Sequence, residues 1–525
     1  MRIGKRALRK VGYPLLAAAL GAVLLVRCGA LPPLGDRTVS MALADTGATR
    51  LGRAVSPLAG AHPGGSGIHP LRDARNAFAA RFLLAQAAER TLDVQYYIWH
   101  KDLSGTLLLG ALLAAADRGV RVRFLMDDNS TWGLDEALAA LDAHPNVEVR
   151  LFNPLGIRRP RVLGYLADPW RVNRRMHNKS FTADNQATIV GGRNVGDEYF
   201  GATDGVLFAD LDTLAVGPVV REVSSAFDRY WASGSSYPAG LLLPPAGAVQ
   251  AAELASAVSR CERDPDAVAY MTALRSSPFV RELVEGTLAL EWTAVRMISD
   301  DPAKALGRAG RETMLPHKMR TIFGEPEEGV DLVSPYFVPT ADGTDMFVAW
   351  ARRGVRVRVL TNALEATDAA PVHSGYARWR KALLEAGVEL YELRRSPAAA
   401  TAAGAAGRAG GLSGSSGSSL HAKTFAVDRS RVFLGSFNFD PRSAELNTEM
   451  GFVIESPELA RKIAAAFDGD VPANAYEVRL SGSGDLVWIE RRNGASIRHD
   501  TEPGASAWRR AGVWLLSKLP IEGLL

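Results

Sequence analysis

Cysteine is nearly absent. With Cys28 and Cys261 alone in 525 residues, neither a disulfide framework nor a multi-cysteine metal site can be built. Structure therefore has to come from packed cores. Strong charge of either sign is also missing: 61 basic side chains against 57 acidic ones leave +4, so no global field marks a nucleic acid as the partner. Lysine is scarce, ten of those 61, and a Lys that recurs at a fixed place is not there by compositional habit. What the chain has is length and 47% hydrophobic residues, too long for one ordinary domain and too apolar for disorder.

No apolar run at the amino terminus is clearly long enough to span a bilayer. Lys5, Arg6, Arg9 and Lys10 precede sixteen uncharged residues, 11–26, where a bilayer core asks for about 20. The segment 1–44 thus reads as a signal sequence or membrane anchor plus linker, with the positive end cytoplasmic and the rest exported. Cys28 is a candidate for lipidation, although Arg27 stands where a lipoprotein cleavage box carries a small residue.

The chain contains itself twice. RGVRVRFL at 118–125 returns as RGVRVRVL at 353–360, each alternating like a strand and each after a helix-periodic stretch. Upstream lie strand-like LDVQYYIW (92–99) and VDLVSPYFV (330–338). Strand, helix, strand twice over predicts parallel crossovers and two α/β halves.

A motif recurs within this frame. His177, Lys179 and Asp184 form HxKxxxxD, and His421, Lys423 and Asp428 repeat it. Such a pattern follows any given His by accident about once in a thousand, so two copies exclude accident. Gly191 and Gly435 lie fourteen residues past their His; Asn194 and Asn438 lie seventeen past. Residues two apart on a strand share a face, so His and Lys project together. Asp184-Asn185 and Asp428-Arg429 are turn-type pairs between apolar strands, which predicts β-hairpins in which the Asp shapes the turn. Imidazole beside a fixed cation and an amide suits a phosphoryl group.

These residues resemble the phospholipase D superfamily, whose signature is two HxKxxxxD motifs, each followed by G-G-x-N or G-S-x-N, here GGRN and GSFN. The resemblance covers about 45–525. It implies a mixed α/β (α+β) fold: two duplicated α-β-α sandwich halves around a pseudo-twofold axis, with the active site at their interface. It also implies His177 as nucleophile and His421 as general acid, with Lys179, Lys423, Asn194 and Asn438 on the phosphoryl oxygens, Ser436 assisting, and no metal or cofactor. Asp184 and Asp428 belong to the same catalytic motifs. Gly192 matches Ser436, so the first half lacks that hydroxyl. The family places a carboxylate behind each His; Glu449 matches in the second copy and Asp210 in the first, with Asp212 its rival.

LDVQYYIWHKD, RMHNKSFTADNQATIVGGRNVGDEYF, GSFNFDPRSAELNTEMG and LPIEGLL resemble bacterial cardiolipin synthases of the periplasm-facing type. That implies phosphatidyl transfer between membrane phospholipids, phosphatidylglycerol and in some pairings phosphatidylethanolamine, by a membrane-associated protein of the cell envelope, with the inner-membrane anchor holding the catalytic halves on the periplasmic side. No nucleic-acid partner is expected, and protein partners are not legible. The competing readings are a hydrolase releasing phosphatidic acid, a nuclease of the same superfamily, and a non-catalytic lipid-binding protein. Arg158, Arg159, Arg161, Arg171, Arg174 and Arg175 are expected to line the approach to His177 and draw anionic headgroups, or else to form a solvated basic loop. His373 is expected to be a satisfied structural residue, with a contact to the cleft as the alternative.

The expected organisation is an anchor and linker (1–44), a first catalytic half (45–238), a largely helical bridge (239–315), a second catalytic half (316–472) and a C-terminal extension (473–525). An Ala/Gly/Ser stretch, 398–419, reads as a loop entering His421. The tail is expected to pack on the second half, with an amphipathic membrane contact as the alternative.

Overall fold

The computed structural model describes residues 15, 20–21, 24–35, 37–203, 207–395, 419–492, 494–519 and 522–524. Most of the amino-terminal apolar run and nearly all of the Ala/Gly/Ser stretch lie outside these. Among the described residues no helix is long and apolar enough to cross a membrane.

Two sheets carry the fold among the described residues. The first has nine strands in the order Glu291–Thr293, Ser66–Leu71, Asp212–Val216, Ala187–Gly191, Ser180–Ala183, Thr91–Ile98, Arg121–Ser130, Val147–Phe152, Ser236–Pro238. The second has ten: Val295–Ser299, Met450–Ile454, Arg431–Gly435, Thr424–Val427, Gly329–Val333, Arg356–Asn362, Glu389–Leu393, Ala475–Leu480, Leu486–Arg492, Ala495–His499. The third to ninth strands of the first order match the second to eighth of the second, with the same sequence of parallel and antiparallel pairings. The chain is thus a mixed α/β duplication.

The repeated octets explain how each half holds together. Helix Leu103–Asp117 is followed by Gly119 and helix Thr340–Arg352 by Gly354, both at φ +91°, a conformation that costs glycine little. Arg123 then bridges Asp93 at 2.7 Å and Asp228 at 2.8 Å, its guanidinium 4.8 Å from the Phe227 ring centre. Arg358 bridges Asp331 and Asp468, both at 2.6 Å, 4.9 Å from Phe467. Ala-Phe-Asp at 226–228 and 466–468 is therefore a third repeated element. Removing one partner from such a buried pair costs about 3–5 kcal/mol.

The segment 239–315, expected to bridge the halves, belongs mostly to the first. Helices Ala248–Glu262, Pro265–Arg275 and Pro278–Glu285 bury Leu254, Val258, Tyr270 and Phe279 in the core of that half. Glu291–Thr293 then edges the first sheet and Val295–Ser299 the second, so the crossing is Ala294. Between the sheets, Val190, Leu211 and Ala215 pack with Val432, Leu434, Phe452 and Ile454 in one core. The linker is packed too: Arg37 donates to the Ser233 and Ser236 carbonyls, the Ser40 carbonyl accepts from Arg123, and the Leu43 carbonyl accepts from Asn185. In the tail, three strands extend the second sheet and helix Ala507–Leu516 packs on helix Ala370–Ala377.

Candidate active site

Each motif enters as the lead into a hairpin. In both turns the two central residues have positive φ, Asp184 and Asn185 at 52°, Asp428 at 51° and Arg429 at 49°. The Asp carboxylates are occupied there. Asp184 accepts from the Glu89, Arg90 and Thr91 N–H groups at 2.8–3.2 Å, and Asp428 from Glu327, Glu328 and Gly329 at 2.8–3.1 Å. The turns sit at the far end of the strands from Lys179 and Lys423. Grouping Asp184 and Asp428 with the catalytic residues is corrected: these carboxylates are tied to backbone amides and hold the hairpins to neighbouring strands.

At the other end the halves exchange partners. The His177 N–H donates to the Thr448 carbonyl at 2.9 Å, and the His421 N–H to the Ala209 carbonyl at 2.8 Å, next to the parallel pairing of Ser419–Leu420 with Phe208–Ala209. The residue after each acceptor is a carboxylate. Glu449 is thereby delivered to His177, its Oε2 2.9 Å from Nδ1, and Asp210 to His421, its Oδ2 2.5 Å from Nδ1. Each half orients the imidazole of the other. Asp212, the rival, is bound elsewhere, 2.8 Å from Arg81 and 3.4 Å from Arg193.

This geometry sets the tautomers. His177 Nδ1 faces two acceptors, Glu449 and the Ser436 carbonyl at 3.1 Å, so Nδ1 carries the proton and Nε2 the lone pair. Burial, and then Lys179, Lys423 and His421, hold the His177 pKa well below its ordinary value. Burial and Lys423 lower His421 as well, while Asp210 pulls it back. Burial alone would raise the Asp210 carboxyl, but His421, Lys423 and Arg193 outweigh it and keep it ionised. Glu449 differs: burial pushes it up to about 7 against Lys179, Ser436 and Ser443. His177 is therefore the imidazole kept neutral, and His421 the one beside a firm negative charge.

The lysines are fully buried. Lys179 Nζ donates to the His177 carbonyl at 2.5 Å and lies 5.5 Å from the Tyr97 ring centre. Lys423 Nζ donates to the His421 carbonyl and lies 3.0 Å from its Nδ1. Burial lowers both, Lys423 to about 8. Tyr97 stands edge-on to His177 at 5.0 Å, and Tyr199 and Phe208 wall His421 at 5.2 Å. Two imidazoles, two lysines and aromatic side chains lie together here: the imidazole kept neutral can attack the phosphorus of a phosphodiester, and the one beside Asp210 can carry the proton that a departing oxygen needs.

The other expected phosphate ligands are unequal. The Ser436 hydroxyl donates to Glu449 at 2.5 Å and accepts from the Met450 N–H, so it is corrected from phosphate ligand to holder of the carboxylate. Asn194 is buried, with Oδ1 accepting from Ile98 and Nδ2 donating to the Tyr199 hydroxyl. Asn438 Oδ1 is buried without a partner. Most of the arginine run is likewise internally paired: Arg158 with Asp128 and Asp135 at 2.6 Å, Arg161 with Asp135, Arg171 with Asp168, Arg175 with Asp127 at 3.1 Å, while Arg174 reaches backbone carbonyls and Arg159 is exposed. The expectation that this run draws headgroups is corrected accordingly. His373 bonds Glu502 at 3.0 Å, as a structural residue does. Tyr199, Phe208 and Ser443, which donates to Glu449, were not legible as site residues, although Tyr199 and Ser443 lie in the quoted motifs. Among the described residues, His100, Asp102 and Glu198 have metal-ligand spacing, but Asp102 caps helix Leu103–Asp117 and Glu198 lies 3.1 Å from His100.

A family model described as cardiolipin synthase, PLD-like domain matches the chain twice, over residues 83–231 and 319–471. Cardiolipin synthase C of Escherichia coli (strain K12) is 51% identical over 479 residues, 91% of this chain and 100% of that protein. An uncharacterized protein of Helicobacter pylori (strain ATCC 700392 / 26695) is 30% identical over 462 residues, 86% of this chain and 88% of its own length. The crystal structure of phosphatidylserine synthase from Haemophilus influenzae Rd KW20 superposes with a TM-score of 0.54 over 82% of this chain and 92% of that one, a likeness of fold at 14% identity.

Proposed function

The chain belongs to the cardiolipin synthase family with PLD-like domains, and on that premise we propose that it passes a phosphatidyl group from one phospholipid to the glycerol headgroup of another, making cardiolipin. It is a phosphatidyltransferase, and its substrates are phospholipids. Donor and acceptor are read as phosphatidylglycerol, with phosphatidylethanolamine as a second donor.

His177 Nε2 attacks phosphorus while His421, entering as the imidazolium that Asp210 stabilises, gives its Nε2 proton to the leaving glycerol or ethanolamine oxygen; the P–O bond breaks as the P–N bond forms, leaving a phosphatidyl-histidine and a neutral His421. His421 then takes the proton of the incoming glycerol hydroxyl, that oxygen attacks phosphorus, and His177 leaves. The products are cardiolipin and the free head alcohol. Lys179 and Lys423 neutralise the non-bridging oxygens, with Asn438 beside them. Glu449 and Asp210 fix the tautomers that put Nε2 forward on both rings.

One observation supports this most: the crossed pairs, Glu449 on His177 at 2.9 Å and Asp210 on His421 at 2.5 Å, hold two imidazoles from opposite halves within each other's electrostatic reach. The setting read for this chemistry is the bacterial envelope, with the amino-terminal segment as anchor and the catalytic halves on the periplasmic side. Incubating the full chain with labelled phosphatidylglycerol and phosphatidylethanolamine tests it. Cardiolipin is the expected product; phosphatidic acid instead supports the hydrolase reading, and neither product removes the lipid reading.

A further inference from the structure

Resting on the phospholipid reading above, the geometry points to a bilayer-docking face at the end of both sheets where the two His lie, built from one helix of each half with exposed tryptophans beside it or on it. Strands Thr91–Ile98, Arg121–Ser130 and Val147–Phe152 run parallel and leave the first sheet at the end where Ser180 begins its strand opposite Gln95. The loop after Ser130 and the chain between Phe152 and His177 therefore stand beside His177. Trp132 is 84% exposed there and Trp170 85%, flanking helix Arg161–Ala167 with its outward Val162 and Leu166. Single exposed apolar residues are ordinary, but indole rings clustered beside a lipid site are at home at headgroup depth. The paired arginines acquire a purpose here. Arg158 and Arg161, pinned to Asp128 and Asp135, fasten this helix with its apolar side outward.

The second half repeats the device with different residues. Its strands Gly329–Val333 and Arg356–Asn362 end where Thr424 starts opposite Val333, beside His421. Helix Ala507–Leu516 is fastened to that end, its Arg509 donating to the Thr367 carbonyl and its Val513 buried. Trp508, 88% exposed, and Trp514, 64% exposed, face outward, with Lys518 Nζ 5.9 Å from the Trp514 ring. A lysine snorkelling past an interfacial ring is what a headgroup layer favours.

The amino-terminal chain argues for a bilayer over a protein as occupant. Residues 24–28 are helical, continue the apolar run, and expose Leu24 and Val26. They end against the docking helix: a Cβ at Gly29 would meet the Ala167 Cβ at 2.5 Å, and one at Gly156 would meet the Gly29 carbonyl oxygen at 1.9 Å. From there the linker runs away from this face to the hairpin tip at Asn185, at the opposite end of the sheet. The apolar run thus joins the enzyme on the face that carries the tryptophans. The same helix touches the chemistry, since the Tyr165 hydroxyl donates to Asn129 at 2.5 Å, Asn129 donates to the Tyr97 hydroxyl at 3.2 Å, and Tyr97 walls His177.

The test replaces Trp132, Trp170, Trp508 and Trp514 together by Ser in the full chain. Turnover is then measured on phosphatidylethanolamine–phosphatidylglycerol vesicles and on monomeric short-chain phosphatidylglycerol. A loss of about tenfold or more on vesicles, with monomer turnover kept and vesicle turnover recovered by Tyr at the four positions, is the expected result. Unchanged vesicle turnover overturns docking, and so does an equal loss on both substrates. Emission quenching by brominated lipids in the vesicles reads docking without turnover: wild type should be quenched more than the Ser variant, and equal quenching contradicts the proposal. Should wild type make no cardiolipin on either substrate, the proposed function fails while quenching still decides docking.

Discussion

Gly192 and Ser436 occupy the same place in the two halves and serve opposite ends. At Gly192 the missing side chain makes room, since a Cβ there would lie 2.2 Å from Asp210 Oδ1. At Ser436 the hydroxyl is present and holds Glu449. Both carboxylates are buried, but one meets the field of His421, Lys423 and Arg193 and stays ionised, while the other, shared between two hydroxyls, is pushed up to about 7. The duplication preserved the backbone and the crossed exchange of carboxylates, while single side chains set the two carboxylates apart, and on that difference rests the proposed division into nucleophile and acid.

Replacing either histidine separates these roles most sharply. His177→Ala should lose turnover by roughly four orders of magnitude or more on every phosphodiester. His421→Ala should lose as much on phospholipids yet recover with a phosphatidyl ester of a good leaving group such as nitrophenol, which needs no acid. Recovery by the His177 variant instead would reverse the assignment. Next in size, Glu449→Gln and Asp210→Asn should each cost about 10²–10⁴ in kcat, with Glu449→Gln slowing adduct formation in a single turnover and Asp210→Asn slowing release of the natural alcohol. Identical single-turnover defects would erase the difference between the halves.

A smaller effect comes from pH. With His421 lowered from its ordinary 6.5 and Lys423 to about 8, kcat/KM should fall with rising pH first as the His421 proton is lost and again as the ammonium is lost above about pH 8, and with His177 held well below 6.5 the acid limb should lie under that value. A profile flat to pH 10 would contradict the burial of Lys423. Smallest for activity are the hairpin carboxylates. Asp184→Asn weakens three buried amide contacts and should lower stability by about 1–3 kcal/mol with kcat retained, whereas Asp428→Asn, half-exposed, should lower it less. Thermal melts beside turnover assays decide this.

Much of this was legible in sequence because it is local or repeated. The octets located equivalent strands, and HxKxxxxD put His and Lys on one face with a turn behind. Pairings between distant segments were not legible. That Glu449 serves His177 and Asp210 serves His421 depends on how the halves meet, which spacing within either copy does not encode. The arginines after residue 157 read as free charge because their partners lie upstream, Asp127 and Asp128 at the end of strand Arg121–Ser130 and Asp135 at the start of the helix that follows it. Ser436 read as a phosphate ligand because its motif does not reveal the carboxylate beneath it. The linker's course along the first half rests on backbone carbonyls, for which composition carries no signal.

Acid-quenching the full chain during turnover of labelled phosphatidylglycerol, then mapping the label by peptide mass, tests the central claim most directly. The account predicts a phosphatidyl adduct on the peptide carrying His177, lost in His177→Ala and accumulating in His421→Ala with an activated donor. An adduct on His421 with none on His177 would contradict it.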